Sequence, residues 1–400
     1  MSRDKLNFLF LNFGHLYDHY FVLIFATVAA LTLASEWNMT YAALIPYATP
    51  GFIAFGMFAV PAGWLADKWD RRHMMTVFFI GIGASAMATA AAQSPLQIGI
   101  GLFCIGTFAA IYHPVGLALV VEGQTKTGVI LAVNGIWGNV GVGVAAMATG
   151  VLIDLAGWRA AFLAPGVLSI ATGLLYGVFV RFDRREAPMG LSKKPKPSLA
   201  GVERRTIIHI FAVIFFSTAV GGLTFQSTTF ALPKIFDERL TDLAGTATLV
   251  GTFAFVVFSV AAAAQLVVGF FTDRYSVRWV FGAVATTQAV FFLAVQDLTG
   301  WPALIVSVIV MMAVFGQIPI NDVLVGRIST EEWRSRIFAF RYLVTFTAMA
   351  STLPIIAWLH ATWGFTALFG VLAAAAAAML CAVLTLPGST VVTGKPAPAE

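Results

Sequence analysis

The chain has 400 residues, of which 59% are hydrophobic and only 11% are charged, and its formal net charge is +5. An ordinary soluble domain carries about 25% charged residues, and a mean hydropathy of +0.86 indicates that lipid is the main solvent. The composition excludes a soluble enzyme, a secreted disulfide scaffold and a disordered protein. Cys104 and Cys381 lie far apart in apolar segments, so no disulfide framework is predicted.

Twelve apolar stretches follow one another along the chain, and each is long enough to cross a bilayer as a helix. Cutting the sequence at charged residues, Pro and Gly places them at 8–34, 42–66, 74–92, 98–121, 129–153, 160–180, 207–232, 244–271, 279–296, 302–326, 337–358 and 365–386. The first stretch is too long for the core of a signal peptide, so we expect a permanent span there. These stretches predict an all-α membrane protein.

Two polar segments divide and end this series. Residues 181–206 are basic and Pro-rich, which predicts a cytoplasmic linker between an N-terminal six-helix bundle at 1–180 and a C-terminal six-helix bundle at 207–386. Residues 387–400 are polar, and we expect them to form a disordered cytoplasmic tail.

The basic residues are distributed very unevenly between the two sides of the predicted membrane. Of the 24 Lys and Arg residues, Arg341 falls inside the eleventh span, and only Arg159, Lys234 and Arg239 lie on one side. Because loops rich in Lys and Arg face the cytoplasm, we expect both termini and the linker on the cytoplasmic side of a bacterial inner membrane. The net positive charge is thereby assigned to membrane topology, and no nucleic-acid partner is predicted.

The two halves of the chain share sequence markers at nearly one offset. Residues 63–68 and 269–274 both have the pattern G-x-x-x-D-[KR], 206 residues apart. Gly157 and Gly364 open the sixth and twelfth spans, 207 residues apart. A repeat of this kind is typical of transporters that are built from duplicated halves.

These markers resemble those of the major facilitator superfamily. The stretch from Gly63 to Arg72 matches its signature G-x-L-A-D-[RK]-x-[GD]-R-[RK], with Asp70 at the position where the family usually has Gly. The resemblance implies the major facilitator fold, with two pseudo-symmetric bundles, a monomer and a cavity lined by the first, fourth, seventh and tenth helices. It also implies cytoplasmic gating contacts at Asp67, Arg71, Arg72, Asp273 and Arg274, for which the sequence alone equally permits a solvated loop.

A weaker resemblance links the chain to the fosmidomycin-resistance group of exporters. It rests on Gly14-His15 in the first span, on His113-Pro114-x-Gly116 in the fourth and on Gly138-Asn139-x-Gly141 in the fifth. The chain departs from that group at Val115, where the group tends to have Glu, and at Asp18-His19, where it tends to have Asn-Asp.

Ionisable side chains inside spans are costly and therefore mark candidate functional positions. His15, Asp18 and His19 are spaced to share one face of the first helix, and such a cluster can exchange protons near neutral pH. The plainer alternative is that the imidazoles bond backbone carbonyls while Asp18 caps a break in the helix. Two further residues join them as candidates for proton coupling, with structural hydrogen bonding or ion pairing as the alternative: His113 and Asp322.

Uncharged polar groups, aromatic groups and one arginine in the spans form a second set of candidates. They suit a cavity that binds a polar or anionic substrate, but the same residues also pack helices together or, for the arginine, reach the headgroups. This set consists of Tyr17, Asn134, Trp137, Asn139, Gln226, Gln317, Asn321 and Arg341.

Three functions are compatible with these features. The first is a secondary transporter that exports a small amphipathic or anionic compound by alternating access, coupled to protons. The second is a transporter of a metal ion or a metal chelate such as a siderophore, with His15, His19 and His113 as ligands. The third, a membrane enzyme or receptor, is distant, since the sequence has no P-loop, HExxH or GxSxG motif. No cofactor is predicted.

Overall fold

A computed structural model describes residues 3–122, 127–182, 203–328 and 331–387, and every regular element in this part of the chain is a helix. The elements in the first half are α1 (Arg3–Val28), α2 (Ala34–Glu36), α3 (Tyr41–Leu44), α4 (Thr49–Lys68), α5 (Arg71–Ala90), α6 (Pro95–Ala109), α7 (Leu117–Val121), α8 (Thr127–Ala156) and α9 (Trp158–Phe182). Those in the second half are α10 (Arg204–Arg239), α11 (Ala247–Arg274), α12 (Val277–Ala294), α13 (Gly300–Ile328) and α14 (Glu331–Leu384).

Within these described residues, eleven helical stretches are long and apolar enough to cross a membrane. Ten of them correspond one to one with the first ten predicted spans. The last stretch, Leu343–Leu384, runs through the final two predicted spans. Gly364, with φ 70° and ψ −169°, interrupts helical geometry inside α14 at the boundary between them. The predicted all-α membrane architecture is confirmed, and the count of spans agrees once this break is recognised.

Several short polar signals set the helix ends. The side chain of Thr40 accepts a hydrogen bond from the backbone N–H of Ala43, and Ser94 does the same for Gln97 at the start of α6. Gly157 joins α8 to α9 with φ 79°, a left-handed conformation that suits glycine because it lacks a Cβ. These ends keep the loops between the spans short.

Asp70 caps the N-terminus of α5, outside the membrane-spanning segments. Its carboxylate accepts a hydrogen bond from the backbone N–H of His73 at 2.8 Å and lies 2.9 Å from the His73 imidazole. Partial burial acts to raise the pKa of Asp70, but these hydrogen bonds outweigh burial and hold the pKa below its ordinary value. Asp70 therefore has a capping role that the Gly usual at this position in the family lacks.

The chain forms two compact units. One contains the described residues of Met1–Gly190 together with Phe230–Ser259, and the other contains those of Leu191–Thr229 and Val260–Glu400. In the first unit α1 packs on α8 and α5 on α9, around buried aromatic side chains that include Phe21, Phe78, Phe162 and Tyr176. In the second unit α12 packs on α13 and α14.

Glycines bring α8 and the beginning of α11 into backbone contact inside the first unit. A Cβ on Gly150 would overlap the carbonyl oxygen of Ala247, and a Cβ on Gly251 would overlap that of Ala146. Beside them, Asp154 Oδ2 accepts a hydrogen bond from the backbone N–H of Thr248 at 2.7 Å. We call this pair of glycine contacts the α8–α11 glycine seam. It places the first turns of α11 directly on the N-terminal half of the chain.

Many large apolar side chains are exposed on the protein's surface. Val60, Leu155 and Trp279 are 76%, 77% and 64% exposed. A soluble protein rarely exposes so many large apolar residues together, whereas hydrocarbon tails solvate them well. The surface therefore has the character that membrane-spanning helices require.

Candidate functional site

A π-helical turn, Tyr112–Gly116, places His113 in the fourth span between α6 and α7. Pro114 has no backbone N–H, and its ring would collide with a carbonyl one turn earlier in a regular α-helix. A wider π turn accommodates the ring, and π turns of this kind are frequent at functional sites. His113 is thus presented to α1 from an irregular part of the helix.

Asp18 and His113 form a close pair inside the first unit. Asp18 Oδ2 lies 3.2 Å from His113 Nε2, and the Asp18 side chain is completely buried while that of His113 is 19% exposed. Asp18 Oδ1 has no hydrogen-bond partner among the described residues. A buried carboxylate with incomplete hydrogen bonding is unfavourable in its charged form, so this arrangement suits a group that binds and releases a proton.

His15 and His19 lie beside this pair, so the predicted face of α1 does bring its ionisable groups together with His113. The centroid of the His15 ring lies 5.1 Å from that of His19 and 5.6 Å from that of His113, and the centroids of His19 and His113 are 5.7 Å apart. We call His15, His19, His113 and Asp18 the histidine–aspartate cluster.

One ring nitrogen from each imidazole lies within 4.8 Å of one from each of the others. Two imidazole nitrogens on one tetrahedral zinc ion would lie about 3.3 Å apart, given Zn–N bonds of about 2.0 Å. The rings would need to be drawn together to share such an ion. The metal alternative therefore stays a prediction, to be tested by transport.

Asn134 on α8 bonds to His15, a contact that the sequence did not reveal. His15 Nδ1 lies 2.8 Å from the backbone oxygen of Asn134 and 2.9 Å from its Oδ1. The Asn134 amide nitrogen donates to Asn12 Oδ1 at 2.8 Å and to the Tyr112 hydroxyl at 2.9 Å, and Tyr112 donates to the carbonyl of Leu11. Asn134 is therefore hydrogen-bonded to the histidine–aspartate cluster through His15.

The other substrate-cavity candidates of the first unit have ordinary packing contacts. The Tyr17 hydroxyl lies 3.3 Å from Thr172 Oγ1. The Trp137 ring meets Phe13 edge to face with centroids 5.2 Å apart. Asn139 is half-buried on α8. Their assignment to a cavity stays a prediction.

In the second unit, Gln317 and Asn321 occupy a buried polar network around α13. Gln317 Nε2 donates to the backbone oxygen of Ser217 at 3.1 Å, and Gln317 Oε1 accepts from Gln288 at 2.9 Å. The Ser217 hydroxyl donates to Asn321 Oδ1 at 3.1 Å. These contacts join α10, α12 and α13.

Gln226 and Arg341 are also buried in the second unit. Gln226 is 1% exposed, and its Nε2 has no hydrogen-bond partner among the described residues. Arg341 is 8% exposed within α14. The side chain of Asp322 lies outside the described residues, so its predicted coupling role stays a prediction.

The gating candidates lie at the ends of α4, α5 and α11. Arg71 donates to Asp67 at 2.7 Å, and both are exposed. The Arg274 guanidinium stacks 3.4 Å above the centre of the Phe270 ring, while Asp273 is exposed and Arg72 half-buried. Each half of the repeat thus has its own local contact.

Sequence reasoning missed four polar residues of these networks: Asn12, Tyr112, Ser217 and Gln288. Asn12 precedes His15 by three residues and Tyr112 precedes His113 directly, so proximity to a candidate was the available signal. Ser217 and Gln288 carry no comparable signal, because single uncharged polar residues are common in spans.

The chain is similar in sequence to a known protein family and to several curated proteins. The family model described as Major Facilitator Superfamily matches residues 9–239 and 214–400. Among curated relatives, a gallate transporter of Pseudomonas putida is 23% identical over 39% of this chain and 35% of its own length. A puromycin resistance protein of Streptomyces alboniger is 31% identical over 27% and 22%. A nitrite extrusion protein of Bacillus subtilis is 25% identical over 54% and 53%.

The chain thus spans about half or less of the length of these curated relatives. Solved structures match over nearly the whole chain. A D-xylose–proton symporter has a TM-score of 0.77 at 13% identity, covering 97% of this chain and 99% of its own. An inward-facing bacterial homologue of the human lysosomal transporter Spinster has a TM-score of 0.73 at 14% identity, covering 96% and 95%. At these identities the likeness establishes the fold.

Proposed function

The chain belongs to the Major Facilitator Superfamily, and from this premise we propose that it exports a small amphipathic or anionic compound in exchange for protons. Membership makes it a membrane transporter rather than an enzyme. Coupling to protons, the direction of transport and the substrate class are the steps that the proposal adds.

The observation that carries proton coupling is the pair of Asp18 and His113. Their 3.2 Å contact joins a carboxylate to an imidazole, the side chain whose ordinary titration lies nearest neutral pH. Placing a charged carboxylate at the centre of a span costs about 2.5–3.5 kcal/mol on insertion scales. Protonation removes that cost, so the charge state of the pair can favour one conformation over another and couple proton binding to transport.

Two considerations support an anionic or amphipathic substrate. The names of the curated relatives mention gallate and nitrite, both anions, and puromycin. Two of those relatives are named for resistance or extrusion, which favours export. In this chain, Arg341 is a buried cation and Gln226 offers a buried amide donor, the two kinds of group that recognise a carboxylate.

Proton movement in proteoliposomes tests the proposal. The full chain is reconstituted with an internal pH dye and challenged with gallate, nitrite, puromycin, other organic acids, phosphonate antibiotics, lipophilic cations and ferric chelates. We expect one of the anionic or amphipathic compounds to drive a proton flux that Asp18→Asn abolishes, because the amide cannot take up a proton. Asp18→Glu should retain part of the flux.

Asp242→Asn is the matched control. Asp242 is exposed in the loop before α11, so the same chemical change there should leave the flux unchanged. Equal flux for Asp18→Asn and the parent would remove Asp18 from the mechanism. Chelate accumulation without any proton flux would instead favour transport of a metal complex.

A further inference from the structure

His15 is held at one of its two ring nitrogens, and we infer that α8 fixes it in the Nδ1–H tautomer, leaving Nε2 as the atom through which His15 exchanges protons. The inference makes Asn134 a positioning residue. It rests on the proposed function only for the use of that atom in proton transfer, since the tautomer follows from geometry alone.

The acceptors around Nδ1 determine which nitrogen carries the hydrogen. The backbone oxygen of Asn134, 2.8 Å from Nδ1, can only accept a hydrogen bond, so Nδ1 must be the donor. This conclusion holds whichever way the Asn134 amide is turned. With Oδ1 at 2.9 Å from the same nitrogen, the side chain adds a second acceptor and strengthens the preference.

The Asn134 side chain is itself held in place. Its amide nitrogen donates to Asn12 and to Tyr112, and the Tyr112 hydroxyl also lies 3.1 Å from Oδ1. The bond to Asn12 keeps the amide nitrogen away from His15, so Oδ1 is turned toward His15. The Tyr112 ring also stacks on the His15 ring, with centroids 4.8 Å apart and planes inclined by 24°, which limits rotation of the imidazole.

Gly138 packs against the His15 ring on the side of Nε2. A Cβ at Gly138 would lie 2.6 Å from His15 Nε2, 2.7 Å from Cδ2 and 2.8 Å from Cε1, so a side chain there would displace the ring. The titratable rings around His15 are His19 on α1 and Tyr112 and His113 in the π turn, and Asp18 lies beyond them on His113. The α8 residues that contact the ring, Asn134 and Gly138, are uncharged. Nε2 is therefore the one basic atom that His15 offers to this cluster.

The consequence is a fixed direction for proton transfer at His15. A neutral imidazole locked in this way accepts a proton at Nε2 and returns it from Nε2, without first rotating or exchanging its tautomer. His15 then serves as a proton acceptor next to the pair of Asp18 and His113.

Nitrogen-15 NMR of the full chain in lipid nanodiscs tests the tautomer directly. The chain has six histidines, and a His15→Gln sample identifies the signals of His15 by their loss. We expect the unsubstituted protein at neutral pH to show the Nδ1–H pattern for His15, whereas an imidazole free in water favours the Nε2–H form. An Nε2–H pattern for His15 would overturn the inference, whatever the transport assay shows.

Two glycine substitutions on α8 test the role of Nε2. Gly138→Ala places a methyl group against Nε2, Cδ2 and Cε1 of the ring, so the imidazole must shift, and we expect the substrate-driven proton flux to fall and its pH profile to shift. Gly135→Ala is the matched control, because a Cβ there meets nothing within 4 Å. Both variants are checked for folding by thermal melting, and Gly138→Ala is also examined by NMR.

A folded Gly138→Ala variant whose His15 NMR signals are shifted but whose pH profile is parental would exclude Nε2 from proton transfer. Gly135→Ala also replaces a glycine of α8 by alanine, and we expect its flux to be normal. That result separates crowding at His15 from a general effect of the substitution on α8. If Asp18→Asn keeps its flux while His15 shows the Nδ1–H pattern, the coupling proposal fails and the tautomer assignment stands.

Discussion

The polar side chains of the first unit divide into groups with complete and with incomplete hydrogen bonding. Asn134 uses its amide nitrogen, its Oδ1 and its backbone oxygen, so it has a single well-defined orientation. The Asp18 carboxylate, by contrast, has an oxygen, Oδ1, with no hydrogen-bond partner in the described part of the chain. In a low-dielectric interior this difference separates a fully bonded group from one whose charged form is unfavourable.

Removing the hydroxyl of Tyr112 tests the structural part of this network. In Tyr112→Phe the Leu11 carbonyl loses its donor and the Asn134 amide loses one of two acceptors, so we expect a loss of about 1–3 kcal/mol of unfolding free energy. Thermal melting in detergent measures it. Tyr275→Phe, at a tyrosine that is 59% exposed, should leave the melting temperature unchanged, and equal melting of the two variants would contradict a structural role for the Tyr112 hydroxyl.

At the scale of residues, the sequence predicted which residues would lie near one another but not which groups would form hydrogen bonds. Helical spacing places His15, Asp18 and His19 near one another because three and four residues make about one turn. The bond from His15 to Asn134 joins residues 119 positions apart, and no local pattern encodes it. A candidate such as Asn134 was therefore recognised as unusual for a span, while its bonding to an imidazole required the fold.

At the scale of elements, two irregularities interrupt the long helices. The π turn at Tyr112–Gly116 is explained by Pro114, which can be recognised in the sequence. The break at Gly364 follows from a backbone conformation with φ 70° and ψ −169°, a region that is essentially restricted to glycine. Without that break, α14 would be one straight helix far longer than a bilayer needs.

Gly364→Ala is expected to destabilise the protein through this break. An alanine forced into that conformation costs about 1–3 kcal/mol, so the melting temperature should fall even though the new methyl group would meet nothing within 4 Å. Gly245→Ala provides the control, since Gly245 has open space around it and no positive φ. A melting temperature of Gly364→Ala equal to that of the control would show that α14 tolerates a regular helix at this point.

At the scale of the whole molecule, hydropathy and charge were sufficient for the spans and their expected orientation. The transfer of about 20 apolar residues into lipid dominates the free energy of each helix, so the spans could be read from composition alone. Contacts among helices depend on small residues and hydrogen bonds, which leave little trace in hydropathy. The grouping of Phe230–Ser259 with the N-terminal residues in one compact unit depends on such contacts.

Orientation in the membrane can be measured with single cysteines. In a background where Cys104 and Cys381 are serine, we expect Asp242→Cys to react with a membrane-impermeant maleimide added to intact cells. Trp69→Cys should react only after the cells are permeabilised, because the basic loop between α4 and α5 is predicted to face the cytoplasm. Labelling of Trp69→Cys in intact cells would reverse the assigned topology.

The α8–α11 glycine seam has a consequence for the entropy of helix packing. Gly150 and Gly251 bring backbone against backbone, and neither carries a side chain whose rotamers must be ordered when the surfaces meet or released when they part. A seam built from leucines would lose that rotamer freedom when the surfaces meet. The two helices can therefore pack against each other with little entropic cost from side chains.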